Sequence, residues 1–190
     1  MRFRAIVVVA ALLLAGCGDG GNAADRGETP PVASPSYNDT DVMYLQMMLA
    51  HHEPAAKLLA LGADQASRPE VAALAGDLAA AQARETATIR GWLGSWGQPL
   101  VSGAHADVHA AHGGVPLLDD AEMLSLAGLD GADFDTAFLN ILIGHQHGAV
   151  ELSTMETAAG VNPEARAFAA ETDETVRAQI QRMLRMVSAT

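Results

Sequence analysis

The chain of 190 residues contains a single cysteine, Cys17, and a single lysine, Lys57. One cysteine cannot form a disulfide within the chain. Lysine and arginine together number 11 against 23 acidic residues, so the formal net charge at pH 7 is −12. A chain this acidic repels phosphate backbones, and we therefore predict no nucleic-acid partner.

Motifs of common catalytic centres are missing as well. No Glu stands three residues before a His, so the Glu-x-x-His pairs that hold two irons in a helical bundle are absent. The stretch HEPAA at residues 52–56 lacks the second His of a His-Glu-x-x-His zinc site. The sequence has no serine nucleophile elbow and no phosphate-binding glycine loop. It therefore predicts that the protein is not an enzyme.

Residues 1–17 have the features of a lipoprotein signal peptide. A short basic start precedes an apolar run too short to span a bilayer, and LAGC at residues 14–17 resembles a lipoprotein processing site. We predict that Cys17 is lipid-modified and anchors the protein in a membrane of the cell envelope, facing the periplasm or the extracellular side. The alternative is an ordinary secretory signal with an incidental cysteine. Residues 18–37, rich in Gly, Pro, Ser and Asp, predict a flexible tether.

The remaining residues, 38–190, are predicted to form one all-α domain. Aromatic residues make up 4% of the chain and runs of β-branched residues are few, which favours helices. Asp39 or Asp41 can cap the first helix. Ser67 to Glu70 match a capping box for the second, and Asn162 can cap the fourth. The main helices are predicted at about 39–61, 67–95, 134–159 and 162–187, with a short one at about 117–129.

The sequence repeats itself. Residues 41–92 align without a gap on residues 135–186, at an offset of 94 positions. This unit is too long for a solenoid and fits two copies of a helical hairpin, neither of which can bury its apolar face alone. Hairpins at 38–97 and 132–190, joined by a linker at 98–131, predict an up-down four-helix bundle. The aligned pairs include Asp41 with Asp135, Tyr44 with Phe138, Met48 with Leu142, His51 with His145 and Ala55 with Ala149.

Two adjacent histidines, His51 and His52, follow three methionines, Met43, Met47 and Met48. Two Met–His pairs, 47 with 51 and 48 with 52, are each four residues apart, so each pair shares one face of the predicted helix. Thioether and imidazole groups suit Cu(I), and imidazole also suits Cu(II) and zinc. The alternative is that the methionines fill a core and that the histidines are buried and hydrogen-bonded.

The second copy of this motif carries His145 and His147. His145 falls on the apolar side of its helix, which directs it toward the core. His147 lies roughly 200° further round the helix, so one ion is not expected to bind both side chains. His147, Glu151 and Met155 form a separate stripe, which is either a second weak metal site or an ordinary solvated edge.

The linker contains three further histidines, His105, His109 and His112. Their spacing of four and three residues would place them on one face of a helical turn. The surrounding residues are rich in Gly and Ala and lack a clear apolar stripe. The segment is therefore either mobile and weakly metal-binding or a solvated loop without a role.

A recognisable pattern extends over residues 38–187: an aromatic residue, a Met, His-His and Ala, then a second helix with Gln-x-x-Glu before Trp-Leu. The matching residues are Asp41, Tyr44, Met48, His51, His52, Ala55, Gln82, Glu85, Trp92 and Leu93 in the first half, and Gly131, Phe134, Asp135, Phe138, Leu139, His145, Gly148, Ala149, Val150 and Met183 in the second. The pattern resembles the bacterial domain-of-unknown-function family 305. That resemblance implies a ferritin-like fold and a role like that of the family's periplasmic proteins that bind copper or silver. In the second half, Gln146 stands where the family has its second His, and Leu142 where it has Met.

We therefore predict an envelope-anchored protein that binds copper or silver ions and buffers or transfers them. The expected ligands are Met48, His51, His52 and His145, assisted by Met47 and Met43, with His147 as a further candidate. The alternative is a non-catalytic envelope interaction module whose histidine pair is structural. Apart from the metal ion and the membrane, the sequence identifies no partner.

Overall fold

A computed structural model describes residues 33–101 and 120–189 of the protein. Within these residues lie five helices and no strand: α1 Asp39–Gln65, α2 Pro69–Ser95, α3 Asp120–Ala127, α4 Gly131–Ala159 and α5 Pro163–Ser188. The all-α fold predicted from the sequence is confirmed. The predicted signal peptide, Cys17 and the linker histidines at positions 105, 109 and 112 lie outside the described residues.

Each hairpin packs along its own length, α1 on α2 and α4 on α5, and the two hairpins meet mainly through α1 and α4. Apolar side chains from all four long helices are buried between them, and this burial is the main force that holds the bundle together. No helix in the two described segments is long and apolar enough to span a bilayer. The largest fully buried side chains include Tyr44, Leu45, Met48, Leu58, Leu59, Phe134, Phe138 and Leu139.

The helix α1 begins with a different cap from the predicted one. Asn38, rather than Asp39 or Asp41, is the N-cap: its side chain accepts a hydrogen bond from the Asp41 N–H at 3.0 Å. The Asp41 carboxylate accepts in turn from the Asn38 N–H at 2.6 Å, which completes a capping box. The cap predicted for α5 is confirmed, since the Asn162 side chain accepts from the Ala165 N–H at 2.8 Å.

The close approach of the two hairpins depends on a glycine near the C-terminal end of α1. Gly62 lies on α1 directly against the ring of Phe138 on α4, and a Cβ at position 62 would overlap that ring. Phe138 is fully buried, so the ring has little room to move aside. The absence of a side chain at Gly62 therefore sets how near α1 and α4 can lie.

A buried aspartate ties the first hairpin to the second. Asp41, at the start of α1, is fully buried. Its carboxylate accepts hydrogen bonds from the N–H groups of Val161 at 3.0 Å and Asn162 at 2.9 Å, which lie in the turn between α4 and α5. The N–H groups of Val161 and Asn162, just before α5, would otherwise be unpaired. A carboxylate from the opposite hairpin satisfies them.

Asp135, the counterpart of Asp41 in the repeat, ties the second hairpin to the turn of the first. Its carboxylate accepts from the N–H groups of Ser67 at 2.8 Å and Arg68 at 3.0 Å, in the turn between α1 and α2. Although burial opposes the effect, the hydrogen bonds from Ser67 and Arg68 lower the pKa of Asp135. The capping box predicted from Ser67 is wrong: α2 begins at Pro69 without a side-chain cap, because the Ser67 hydroxyl donates to Asp135 at 2.7 Å.

Residues 33–37, at the end of the range predicted as a tether, pack against one end of the bundle. The ring of Tyr37 stacks on that of Trp96 with 4.4 Å between centroids. The indole N–H of Trp96 donates to the Ser34 carbonyl at 3.0 Å, and the Asn162 amide donates to the Ser34 and Ser36 carbonyls at 3.1 and 2.9 Å. The folded part of the chain therefore starts before residue 38.

Candidate metal centre

The two histidines that the repeat aligns lie face to face in the centre of the bundle. His51 projects from α1 and His145 from α4, and their ring centroids are 3.8 Å apart with an angle of 1° between the ring planes. Both side chains are buried, with 2% and 3% of their surface exposed. The expectation that the two hairpins bring these imidazoles together is met, whereas their binding of a metal stays a prediction.

All four ring nitrogens of this pair are buried without a hydrogen-bond partner. Buried polar groups are nearly always paired, and one left unpaired costs about 1–3 kcal/mol. Burial, and then the neighbouring imidazoles, lowers the pKa of His51 to about 2, and burial with the nearby His52 lowers that of His145 to about 4. Both rings are therefore neutral at physiological pH, which is the form of imidazole that binds metals.

His52 is adjacent in sequence but points elsewhere. Its ring lies 6.2 Å from that of His51, measured between centroids. Its Nε2 is 3.2 Å from Glu85 Oε2, and its Nδ1 is 3.2 Å from the Thr86 hydroxyl, so both nitrogens have partners on α2. His52 is thus held by α2, beside the central pair and not within it.

The second half carries a neutral version of the His52–Glu85 pair. Positions 146 and 179, which lie 94 residues beyond 52 and 85, hold Gln146 and Gln179. The Gln146 amide donates to the Gln179 side-chain oxygen at 2.6 Å. An imidazole–carboxylate pair in one half is therefore matched by an amide–amide pair in the other.

A pocket of about 210 Å³ lies between α2 and α5 and reaches His51 of the central pair. Its inner surface includes His51 and His52 from α1 and Gln146 from α4. Glu85 and Glu171 line it nearer the solvent, and none of the described lining residues is Lys or Arg. The pocket is accordingly acidic, and it gives solvent a path toward ring nitrogens that have no partner.

The remaining predicted ligands are not gathered at this pocket. Met47 and Met48 are buried in the core, Met43 is half-buried, and His147 is exposed on α4. None of these four side chains lines the pocket. Among residues 33–101 and 120–189, no three or more His, Cys, Asp or Glu side chains form a group that could hold a metal ion. His51, His52 and His145 therefore do not form one group of three donors, in part because Glu85 and Thr86 hold His52; metal binding by the predicted ligands stays a prediction.

A family model described as Domain of unknown function (DUF305) matches residues 41–187. The chain belongs to the DUF305 family. No curated protein matches the sequence. Among solved structures, a DUF305 fragment from Deinococcus radiodurans is 27% identical, with a TM-score of 0.69 over 84% of this chain and 100% of that one. A DUF305 protein from Streptomyces coelicolor, thought to be secreted, is 25% identical. Its TM-score is 0.74 over 79% of this chain and 93% of that one.

The fold is also shared with CopM, whose solved structures carry metal ions. The Cu(II)-bound form of CopM is 22% identical, with a TM-score of 0.61 over 78% of this chain and 97% of that one. The Ag-bound form is 19% identical, with a TM-score of 0.62 over 78% of this chain and 95% of that one. At these identities the likeness shows the fold, and the ligands have to be argued from the residues of this DUF305 chain.

Sequence reasoning gave no role in the site to the α2 residues Glu85 and Thr86, or to Gln179 on α5. The repeat contains a signal for two of them, because the change from His52 to Gln146 coincides with a change from Glu85 to Gln179 at the same offset. Two positions that change together from an imidazole–carboxylate pair to an amide pair indicate contact. Thr86 has no such signal, since its counterpart is the apolar Ile180.

A second group of polar side chains in the core of this DUF305 chain was also missed. Tyr44, Ser153 and Glu156 are fully buried, and Glu156 lies beside Asp41. Burial, and then Asp41, raises the pKa of Glu156 to about 8, so its carboxyl group is largely protonated at neutral pH. The repeat counterparts at positions 138, 59 and 62 are Phe, Leu and Gly. The two ends of the bundle are therefore similar in backbone and different in core polarity.

Proposed function

We propose that this protein binds copper or silver ions outside the cytoplasm and buffers them or passes them on. The observation that carries the proposal is the stacked pair of His51 and His145, whose four buried ring nitrogens have no partner. Leaving these groups unpaired opposes folding, so a role that needs free nitrogens is a better account of them than packing. The Cu- and Ag-bound structures of CopM, which has the same fold, support the choice of ions.

The chemistry of the donors fits Cu(I) and Ag(I) better than zinc. His51 and His145 are neutral nitrogen donors, and imidazole is a common ligand of copper. Two donors suffice for the low coordination numbers that Cu(I) and Ag(I) accept, whereas a structural zinc site needs four ligands and a catalytic one three. Met47 and Met48 lie one helical turn before His51 and His52 and would supply thioether sulfur if the side chains repack.

Binding by both central rings requires a small rearrangement. The lone pair of each imidazole nitrogen lies in the plane of its ring, and here the two planes are parallel and stacked. At least one of the rings, His51 or His145, must therefore rotate before both can direct a nitrogen at one ion. The pocket beside His51 provides space for this rotation.

A location outside the cytoplasm is supported by two observations. The related DUF305 protein from Streptomyces coelicolor is thought to be secreted. The first 17 residues of this chain also have the pattern of an export signal ending in Cys17. Lipid attachment at Cys17 is part of the proposal, as is the absence of catalytic activity.

The test is a metal titration of the chain from residue 18 onward, with Cu(I) held by a chromogenic competitor and, separately, with Ag⁺. We expect close to one ion per chain. His51→Leu and His145→Leu should each abolish this binding, whereas His147→Leu, which changes an exposed histidine on the same helix, should leave it intact. Absence of binding in the micromolar range by the unsubstituted chain would refute the proposal and favour an interaction module with a structural histidine pair.

A further inference from the structure

The pocket between α2 and α5 becomes steadily more buried from its rim to its inner end. Glu171 at the rim is exposed, the Glu85 side chain is 29% exposed, and His52 and His51 are 6% and 2% exposed. Both nitrogens of His51 are unpartnered at the inner end. The polar groups along this gradient are carboxylates first and imidazoles last, which is a sequence of donors suited to a cation moving inward.

The two sides of the pocket are chemically different. On the α1–α2 side, His52 and Glu85 present an imidazole and a carboxylate. On the α4–α5 side, Gln146 and Gln179 are joined to each other through a hydrogen bond of 2.6 Å, and neither carries a charge. Between Glu171 at the rim and the central histidines, the carboxylate and imidazole groups that line the pocket, Glu85 and His52, therefore lie on the first side.

We propose that this pocket is the route by which the metal ion reaches the His51–His145 pair, and that Glu85 with His52 is its first binding point. The inference rests on the proposed function and adds a role for two residues outside the central pair. A carboxylate in a concave, partly dehydrated site attracts cations more strongly than one on an open surface. In this role Glu85 and His52 speed the arrival of the ion without being its final ligands.

Thr86 makes His52 suitable for this role. If Nε2 carries the proton, it donates to Glu85, and Nδ1 accepts from the Thr86 hydroxyl. A cation at Glu85 and Nε2 needs the other tautomer, in which Nε2 gives its proton to solvent and Nδ1 takes one up and donates to the same hydroxyl. Because a threonine hydroxyl both donates and accepts, the ring keeps its partner in either state.

The rate of Ag⁺ binding tests the route. The chain from residue 18 onward is mixed with Ag⁺ in a stopped-flow instrument, and tryptophan fluorescence is followed. Trp92 is a suitable reporter because its ring lies 5.6 Å from that of Phe168, which lines the pocket. Glu85→Gln should lower the association rate constant by about tenfold. The dissociation rate constant should fall by a similar factor, because a residue on the route affects both directions and leaves the equilibrium constant within about threefold of the original.

Glu70→Gln is the matched control, since it removes the same charge from an exposed position on α2, the helix that carries Glu85, and does not line the pocket. This variant should bind Ag⁺ at a rate within about twofold of the unsubstituted chain. Thr86→Val, which keeps Glu85, removes the partner of His52 Nδ1 in both tautomers and should also slow association, because the ring is no longer held beside Glu85. Equal rates for the Glu85→Gln and Glu70→Gln chains would overturn the route and leave the proposed function standing.

Two other outcomes are also decisive. If Glu85→Gln weakens the equilibrium binding of Ag⁺ while association stays fast, Glu85 is part of the final site and the route is wrong. If the unsubstituted chain does not bind Ag⁺ at all, the proposed function itself fails. Circular dichroism of each variant establishes that the helices are intact before the rates are compared.

Discussion

Replacing His51 by leucine should stabilise the metal-free protein. The side chain is 2% exposed, and neither of its nitrogens has a partner. Removing a donor and an acceptor that are buried and unpaired recovers about 1–3 kcal/mol for each group. Loss of the ring contact with His145 lowers the free energy of unfolding by about 0.5–1.5 kcal/mol, and imperfect packing of the new side chain lowers it by about 1 kcal/mol. With central values for these contributions, the expected net gain for His51→Leu is about 2 kcal/mol in the free energy of unfolding.

The measurement is urea unfolding of the chain from residue 18 onward in the presence of a chelator. The midpoint should rise in His51→Leu without a change in the slope of the transition, so that the difference reports stability alone. His147→Leu, at an exposed position of α4, should stay within about 0.5 kcal/mol of the unsubstituted chain. With Ag⁺ at a hundred times its dissociation constant, the unsubstituted chain should gain about 2.7 kcal/mol and His51→Leu nothing.

The opposite result would be equally informative. If His51→Leu lowers the free energy of unfolding by more than about 1 kcal/mol without metal, the ring nitrogens have partners, such as ordered water. The histidine pair would then be an ordinary packed element of the core, and the reasoning that ties its unpaired nitrogens to metal binding would be refuted.

Two further predictions concern the bundle itself. Gly62→Ala should lower the free energy of unfolding by about 1–3 kcal/mol because the new methyl group overlaps Phe138. Gly144→Ala, on a helix with open space around it, should raise that free energy by about 0.5–1 kcal/mol, and urea unfolding of both variants checks the contrast. Glu156 has its pKa raised from 4.5 to about 8 in the folded protein, so the stability linked to it is fully present below about pH 4.5 and is lost as the pH rises to about 8. Glu156→Gln should remove this decline, which amounts to as much as roughly 5 kcal/mol at about 1.36 kcal/mol per pKa unit. Identical pH profiles with and without Glu156 would contradict this prediction.

The fold was predictable because the sequence carries its own duplicate. An ungapped repeat over 41–92 and 135–186 predicts two similar hairpins. Because His51 and His145 occupy equivalent positions in the repeat, the two histidines are expected at the same height along the bundle axis. The capping residue Asn162 followed from local chemistry that depends on neighbouring residues alone. These features need no knowledge of which side chains meet across the bundle.

The features that were missed depend on contacts between distant residues. Ser67 matches a capping box in its own segment, yet its hydroxyl is taken by Asp135, 68 positions away. His52 matches a metal ligand beside His51, yet Glu85 and Thr86 on the next helix orient it. In each case a partner outside the local segment offers a stronger interaction than the local one, and helical periodicity does not reveal such partners.

The exchange of aspartates between the hairpins also bears on how such a chain could have arisen. Asp41 holds the turn of the second hairpin and Asp135 that of the first, through positions that correspond under the repeat. A lone hairpin with this aspartate and this turn already contains both halves of the contact. Two identical copies could therefore form a dimer with twofold symmetry, in which each aspartate binds the turn of the other copy. Gene fusion would then make the dimer permanent and free each half to diverge, and the two halves now differ in having an imidazole–carboxylate pair and an amide–amide pair.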